Sequence, residues 1–170
     1  MTAGVTASIA LSIRASLAGS ADLGTPRAPV NVEELVQFVA GTASDSQANL
    51  MFSDIRPLAS AASENLDMAG ALTGPLGATI TAAEVVAIFL KADADNTTNV
   101  TVFGAADNEF DGPLGGTTPT LTLKPGDSAL LLSRDGWTVT AGTGDLLQVT
   151  NGSGAAASYT VVIIGRTAST

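Results

Sequence analysis

The chain has 170 residues, 45% of them hydrophobic and only 14% charged, and its 7 basic against 16 acidic residues leave a formal net charge of −9. That length suits one domain on the usual ~100–200 residues per domain, and so few cations would release few counterions from a duplex, which argues against nucleic-acid binding. Cys and His are both absent, which excludes disulfides, thiolate nucleophiles, zinc clusters and iron–sulfur sites and removes the commonest general base.

No apolar run reaches the ~18–20 residues that a membrane-spanning helix needs. The N-terminus, which has no basic region and is interrupted by Arg14, is not expected to be a secretory signal. From Gly4 to Leu17 the sequence alternates. Val5, Ala7, Ile9, Leu11, Ile13, Ala15 and Leu17 fall on one face; Thr6, Ser8, Ala10, Ser12, Arg14 and Ser16 fall on the other. A period of two predicts a strand with one buried face. Gly19, Gly24, Pro26 and Pro29 mark the turn that follows.

Val30–Val39 fits either a helical stripe or a strand, and its β-branched content favours the strand. After a polar linker from Gly41 to Asn49, Leu50–Leu58 reads as a strand that Pro57 ends or confines to a sheet edge. Ser60–Ala71 carries Leu66 and Met68 and is followed by turn residues at Gly70, Gly74, Pro75 and Gly77. In Thr81–Lys91, Thr81 and Glu84 match a capping box, yet Val85, Val86, Ile88, Phe89 and Leu90 form the continuous run of a buried strand. A strand is expected here too.

Val100–Phe103 resumes a strand, and Gly104–Pro119 is a long Gly/Asp-rich loop. Short strands are then expected at Thr120–Lys124, Ser128–Ser133, Trp137–Thr140, Leu146–Thr150 and Tyr159–Ile164. Turns at Pro125-Gly126-Asp127, Asp135-Gly136, Gly142-Thr143-Gly144 and Asn151–Gly154 separate them. Strands spaced by turns every ~8–12 residues predict an all-β chain, either a single antiparallel β-sandwich or a jelly-roll-like barrel. Residues 1–48 are expected to supply N-terminal strands, as part of the same fold, and residues 49–170 the sandwich body.

Chemistry-bearing patterns are sparse. Asp93-Ala94-Asp95-Asn96 opens like a calcium loop, but Thr98 and Gly104 stand where an EF-hand needs Gly and Glu. Asp107, Glu109 and Asp111 would project to one side of a strand. For both acidic groups a solvated turn or loop is expected, with a bound calcium as the alternative. Trp137 reads as a strand-end residue packed over the core, against the alternative of a sugar-stacking platform. Gly142-x-Gly144 and Gly152-x-Gly154 lack the third glycine of a dinucleotide fingerprint. Asn96, Asn99 and Asn151 open glycosylation sequons, to which no consequence attaches without a signal peptide. No cofactor, no metal and no catalytic residue is expected.

The stretch from Asn49 to Gly165 contains Leu50-Met51-Phe52-Ser53-Asp54 with Arg56, Ala61 to Gly70, Leu72-Thr73 and the Pro75-Leu76-Gly77 turn. Further along come Leu121-Thr122-Leu123-Lys124-Pro125-Gly126, Gly136 to Thr143, and Tyr159-Thr160-Val161-Val162-Ile163-Ile164-Gly165. In these segments the chain resembles the small capsid decoration, or cement, proteins of tailed bacteriophages. The resemblance implies a non-enzymatic virion protein on the outer surface of the expanded capsid. Its partners would be the major capsid protein and further copies of itself, as a homotrimer, with neither nucleic acid nor membrane involved. Such a protein stabilises the mature lattice by binding it. The alternative is a tail- or fibre-associated receptor-binding β-sandwich module. The expected partner contacts are Val5, Ile9, Leu11 and Ile13, with residues 1–48 offering an arm to the capsid or a neighbour by strand addition, against the alternative of an ordinary sandwich strand within the same subunit. Phe110 with Leu114 are further expected contacts as apolar residues of the long loop, against a loop packed on its own core.

Overall fold

The computed structural model describes residues 4–43, 45–116 and 118–168. Ser44 of the predicted linker and Thr117 of the predicted loop therefore lie outside the described residues. Among those described, eleven strands and no helix are found: β1 (Ala7–Ala18), β2 (Arg27–Ala40), β3 (Gln47–Ala48), β4 (Leu50–Leu58), β5 (Ser63–Asp67), β6 (Glu84–Ala92), β7 (Val100–Val102), β8 (Leu121–Leu123), β9 (Ser128–Thr138), β10 (Leu146–Asn151) and β11 (Ala157–Arg166).

Two antiparallel four-stranded sheets, ordered β4-β11-β6-β9 and β5-β10-β7-β8, form a sandwich, and neither closes into a barrel. Of the two architectures expected from sequence, the sandwich is the one formed. Phe52, Ile88, Tyr159, Val161 and Ile163 of the first sheet meet Leu66, Val102, Leu147 and Val149 of the second in the main core. Pro57 lies in β4, an edge strand, where its missing N–H costs no ladder bond.

A third sheet, β1-β2-β3, packs its base on the outer face of β4-β11-β6-β9. Val36, Phe38 and Ala48 lie there against Val86, Ala87 and Ile164 in a second apolar cluster. That placement explains the unbroken apolar run of β6. Val85, Ile88 and Leu90 fill the sandwich while Val86 and Ala87 lie under the third sheet, so the strand is buried on both faces and has no polar side to alternate with.

The strand expected over Thr81–Lys91 is formed: Glu84 begins β6 and is buried against Arg166 of β11, whose Nε donates to Glu84 Oε2 at 2.8 Å. One expectation needs correction. The strands expected on either side of Asp135-Gly136 are one strand, β9, carrying an irregularity where its pairing with β6 shifts register between Val85 and Ala87. The turn residues form a kink inside the strand instead of ending it. Gly136 takes φ 90°, and its N–H donates to Ser133 Oγ at 3.0 Å. The Arg166 guanidinium donates to the carbonyls of Arg134, at 3.3 Å, and Asp135. A side chain at Gly136 would strike Arg166 and Glu84 as well as straining the backbone.

A second polar lock joins the two sheets. Glu64 of β5 accepts from Tyr159 Oη of β11 at 2.8 Å and from Arg56 Nε of β4 at 2.8 Å, while Arg56 also reaches Asp54 at 2.9 Å. Burial first, and then the hydrogen bond and charge of Glu64, hold the Tyr159 phenol well above its usual value near 10, with Arg56 opposing. In the unfolded chain the phenol ionises at its ordinary pKa while the folded chain keeps its proton. Stability is therefore complete below about pH 10 and falls as pH rises above it.

Replacing Arg166 with Met takes from the buried Glu84 carboxyl the guanidinium that bonds it. The expected loss is about 3–5 kcal/mol of unfolding free energy, read from urea denaturation; a loss below about 1 kcal/mol would show that the pair does not hold the kink. Tyr159→Phe is expected to cost about 1–2 kcal/mol at neutral pH through the lost bond to a carboxylate. The same change should flatten the fall in stability above pH 10, and an unchanged alkaline limb would assign that fall to other groups.

Candidate functional site

β1 and β2 form one long hairpin, paired antiparallel from Ala7↔Phe38 at the base to Ala18↔Arg27 at the turn. The turn is closed by Gly19 N–H donating to Pro26 O at 2.9 Å and by the Ala21↔Gly24 bridge. The base is tied down as well. Val5 N–H donates to Ala48 O at 3.2 Å and Val39 N–H to Ser46 O at 2.9 Å.

Beyond the base the hairpin leaves the sandwich, and every residue from Ala10 to Leu35 is exposed. At about 3.4 Å per residue that is an arm roughly 30 Å long. Residues directly opposite in an antiparallel pair share a face, so the register defines two very different sides. One carries Leu11, Ile13, Ala15 and Leu17 opposite Glu34, Val32, Val30 and Ala28. The other carries Ser12, Arg14, Ser16 and Ala18 opposite Glu33, Asn31, Pro29 and Arg27. On this polar side Arg14 Nε donates to Glu33 Oε1 at 3.2 Å. On the apolar side Ile13 is 63%, Leu17 75%, Val30 52% and Val32 55% exposed.

The apolar stripe is thus continuous from buried to bare. Its base, Val36 and Phe38 with Ile9 beside them, is seated on the outer sheet, and its outer part faces solvent. Glu34, on the same side, approaches Arg134 of β9 at 3.9 Å; both side chains are more than half exposed, so the pair orients the arm's exit more than it stabilises it.

Of the six residues picked out in the sequence, Ile9, Leu11 and Ile13 lie on one side of β1 and Val5 just precedes it, Val5 and Ile9 half-buried at the base and the other two exposed. Strand pairing adds Leu17, Val30 and Val32, whose alternation was visible in the sequence although their meeting in a hairpin was not. Phe110 does not belong to this group. It is 1% exposed and part of the main core, so it offers no surface to a partner. Its N–H donates to Leu146 O at 3.0 Å, and Glu109 accepts from Gly104 N–H at 2.8 Å and Thr118 N–H at 3.1 Å, folding the loop down onto β10. Leu114, 39% exposed, stays at the loop surface.

One acid of each group is used within the backbone. Asp93 accepts from Asp95 N–H at 3.0 Å, and Glu109 is turned into its own loop. Among the described residues no three Asp or Glu side chains converge on a common point that would suit a metal ion. Two of the three sequon asparagines are engaged likewise, and Asn99 is exposed. Asn151 is buried, and Asn96 donates to Ser158 O and accepts from Ser158 N–H, both at 2.8 Å. Trp137 is half-buried against the main core. A concavity of about 550 Å³ among Val5, Met51, Pro75, Leu76, Ile80 and neighbouring residues has no titratable side chain in its wall. No protein-family model matches the chain, and no curated protein or solved structure matches it either.

Joining Ile9 to Val36 through an Asn-Gly turn would remove the arm and keep its seated base. In dilute solution this shortened chain is expected to unfold within about 1 kcal/mol of the full one, as surface changes do. A much larger loss would mean that the arm is needed for folding.

Proposed function

We propose that this chain is a virion structural protein that binds the outer surface of the expanded capsid of a tailed bacteriophage and stabilises it by clamping neighbouring major capsid subunits. The observation that carries the reading is the arm, a long hairpin with one apolar side, held out from a rigid sandwich by its buried base. Such an element has no part in forming the body's core, and its form suits reaching across a boundary between subunits. The resemblance of Asn49 to Gly165 to capsid decoration proteins points the same way. So does the −9 charge, which suits the outside of a shell better than its DNA-lined interior. A concavity walled by uncharged residues favours attachment over acid–base chemistry.

Clamping works by linkage. A protein with affinity only for the expanded lattice shifts the balance toward that lattice by its own binding free energy. An alkyl face on a hairpin whose backbone bonds are already made loses little entropy on docking compared with a disordered tail.

Expanded and unexpanded shells assembled from the phage's major capsid protein should therefore bind the chain differently, the expanded form saturating in step with its lattice sites. The chain shortened between Ile9 and Val36 is expected to lose at least tenfold in affinity while staying folded. Equal binding of the full chain to both shells, full occupancy by the shortened chain, or a stoichiometry of only a few copies at the tail would each overturn the reading.

A further inference from the structure

We propose that the apolar side of the arm packs on the outer sheet of a second copy of this chain, so that copies are joined by exchanged arms. The inference deepens the clamp reading, and rests on it in taking the arm as an intermolecular contact.

The acceptor is visible on the same molecule. The registers of β4-β11-β6-β9 place outward-facing residues in rows across the sheet. One row reads Met51, Ile164, Ala87, Leu132; the next reads Ser53, Val162, Phe89, Leu130. The chain's own arm base sits on the first row, with Val36 and Phe38 against Ala87 and Ile164. The second row borders an open apolar groove of about 250 Å³ lined by Ile9, Ala87, Phe89, Leu130, Val162 and Ile164. In this position Phe89, Leu130 and Val162 are only half-buried.

The chain's own arm does not close this groove. The stripe residues that reach the sheet are already seated at the base, and from Ala10 onward the hairpin has departed from it. Each copy therefore presents one uncovered apolar strip, of Leu, Ile, Val and Ala, and one uncovered apolar groove, to which Phe89 adds an aromatic ring. The arm's paired charges, Arg14 and Glu33, stand on its opposite side, so docking the stripe desolvates neither.

Area favours a second copy in a closed exchange. An arm side roughly 30 Å long and two strands, about 10 Å, wide covers about 300 Å² and hides a similar area on its acceptor. One-way docking buries about 600 Å². A closed exchange in which each copy gives one arm and receives one buries about 1,200 Å² for a pair, where stable interfaces begin, and more in a ring of three. Because the contact is apolar and every copy carries a net charge of −9, salt should strengthen the association by screening the repulsion.

The test uses the purified full-length chain, without any shell. Light scattering coupled to gel filtration should give a closed oligomer of two or three copies, tighter at higher NaCl. Ile13→Ser with Val32→Ser should return it to a folded monomer with at least a tenfold weaker association, and Leu130→Ser should do the same from the acceptor side. Natural cysteines are absent, so Ile13→Cys and Leu130→Cys chains can be mixed and oxidised. A disulfide-linked pair carrying one of each is expected, and its absence counts against the exchange even if a serine variant fails to fold. A monomer at high concentration, an oligomer indifferent to the arm variants, or association weakened by salt would overturn the proposal. If the free chain is monomeric yet its Ile13→Cys form cross-links to a shell subunit, the exchange falls and the clamp reading stands.

Discussion

The sheet β4-β11-β6-β9 is covered on its inner face and on part of its outer one, and the rest of the molecule depends on that. Its inner side forms half of the sandwich core, and part of its outer side is covered by the base of the arm. A sheet covered on one side alone would show alternating polar residues outward, and β6 does not. Val86 and Ala87 are apolar because Val36 and Phe38 lie on them. The body thus fixes the direction in which the arm leaves, and the arm base completes the body. Arg166 and Glu84 lie at the end of the same sheet beside the arm base, where guanidinium bonds to the carbonyls of Arg134 and Asp135 hold the kink in β9. Arg134, in that kink, is the residue that meets Glu34 of the arm.

The arm follows a different rule from the body. Isolated hairpins are marginal in water, and this one gains its order from a seated base, a closed turn and a register kept over twelve opposed pairs. The Arg14–Glu33 pair on the polar side adds little because it is exposed. What distinguishes the two sides is solvation. The polar side is content in water; the apolar side has the composition of a buried strand without the burial.

The strands were largely legible in the sequence because alternation and turn chemistry are local properties. Partner identity is not local, and there the reading failed in specific ways. Nothing near Glu84 announces its partner, Arg166, which is 82 residues away. Asp135-Gly136 looked like a turn because a kink within a strand uses the same backbone freedom as a turn between strands. Phe110 looked exposed because it stands among Asp and Gly; the bond to Leu146 that draws its loop onto β10 leaves no trace in composition. The arm shows the limit most clearly. Alternation from Val5 to Leu17 says that one side of the strand is to be covered, and it is silent on whether the cover comes from the same molecule.

Magnitudes bear on how such an arm works. Burying a Val, Leu or Ile side chain completely is worth about 1.5–3 kcal/mol. Scaled to what Leu11, Ile13, Leu17, Val30 and Val32 still expose, the stripe offers roughly 4–8 kcal/mol gross on docking. Association costs an estimated 4–15 kcal/mol in lost translation and rotation, so one arm on one acceptor comes near to breaking even. A second contact between bodies already held together costs far less, because its partner is present at high effective concentration. An element of this strength is therefore weak alone and strong in a closed set, whether the set is a ring of copies or an ordered shell. That is the behaviour required of a clamp that must ignore scattered subunits and hold assembled ones.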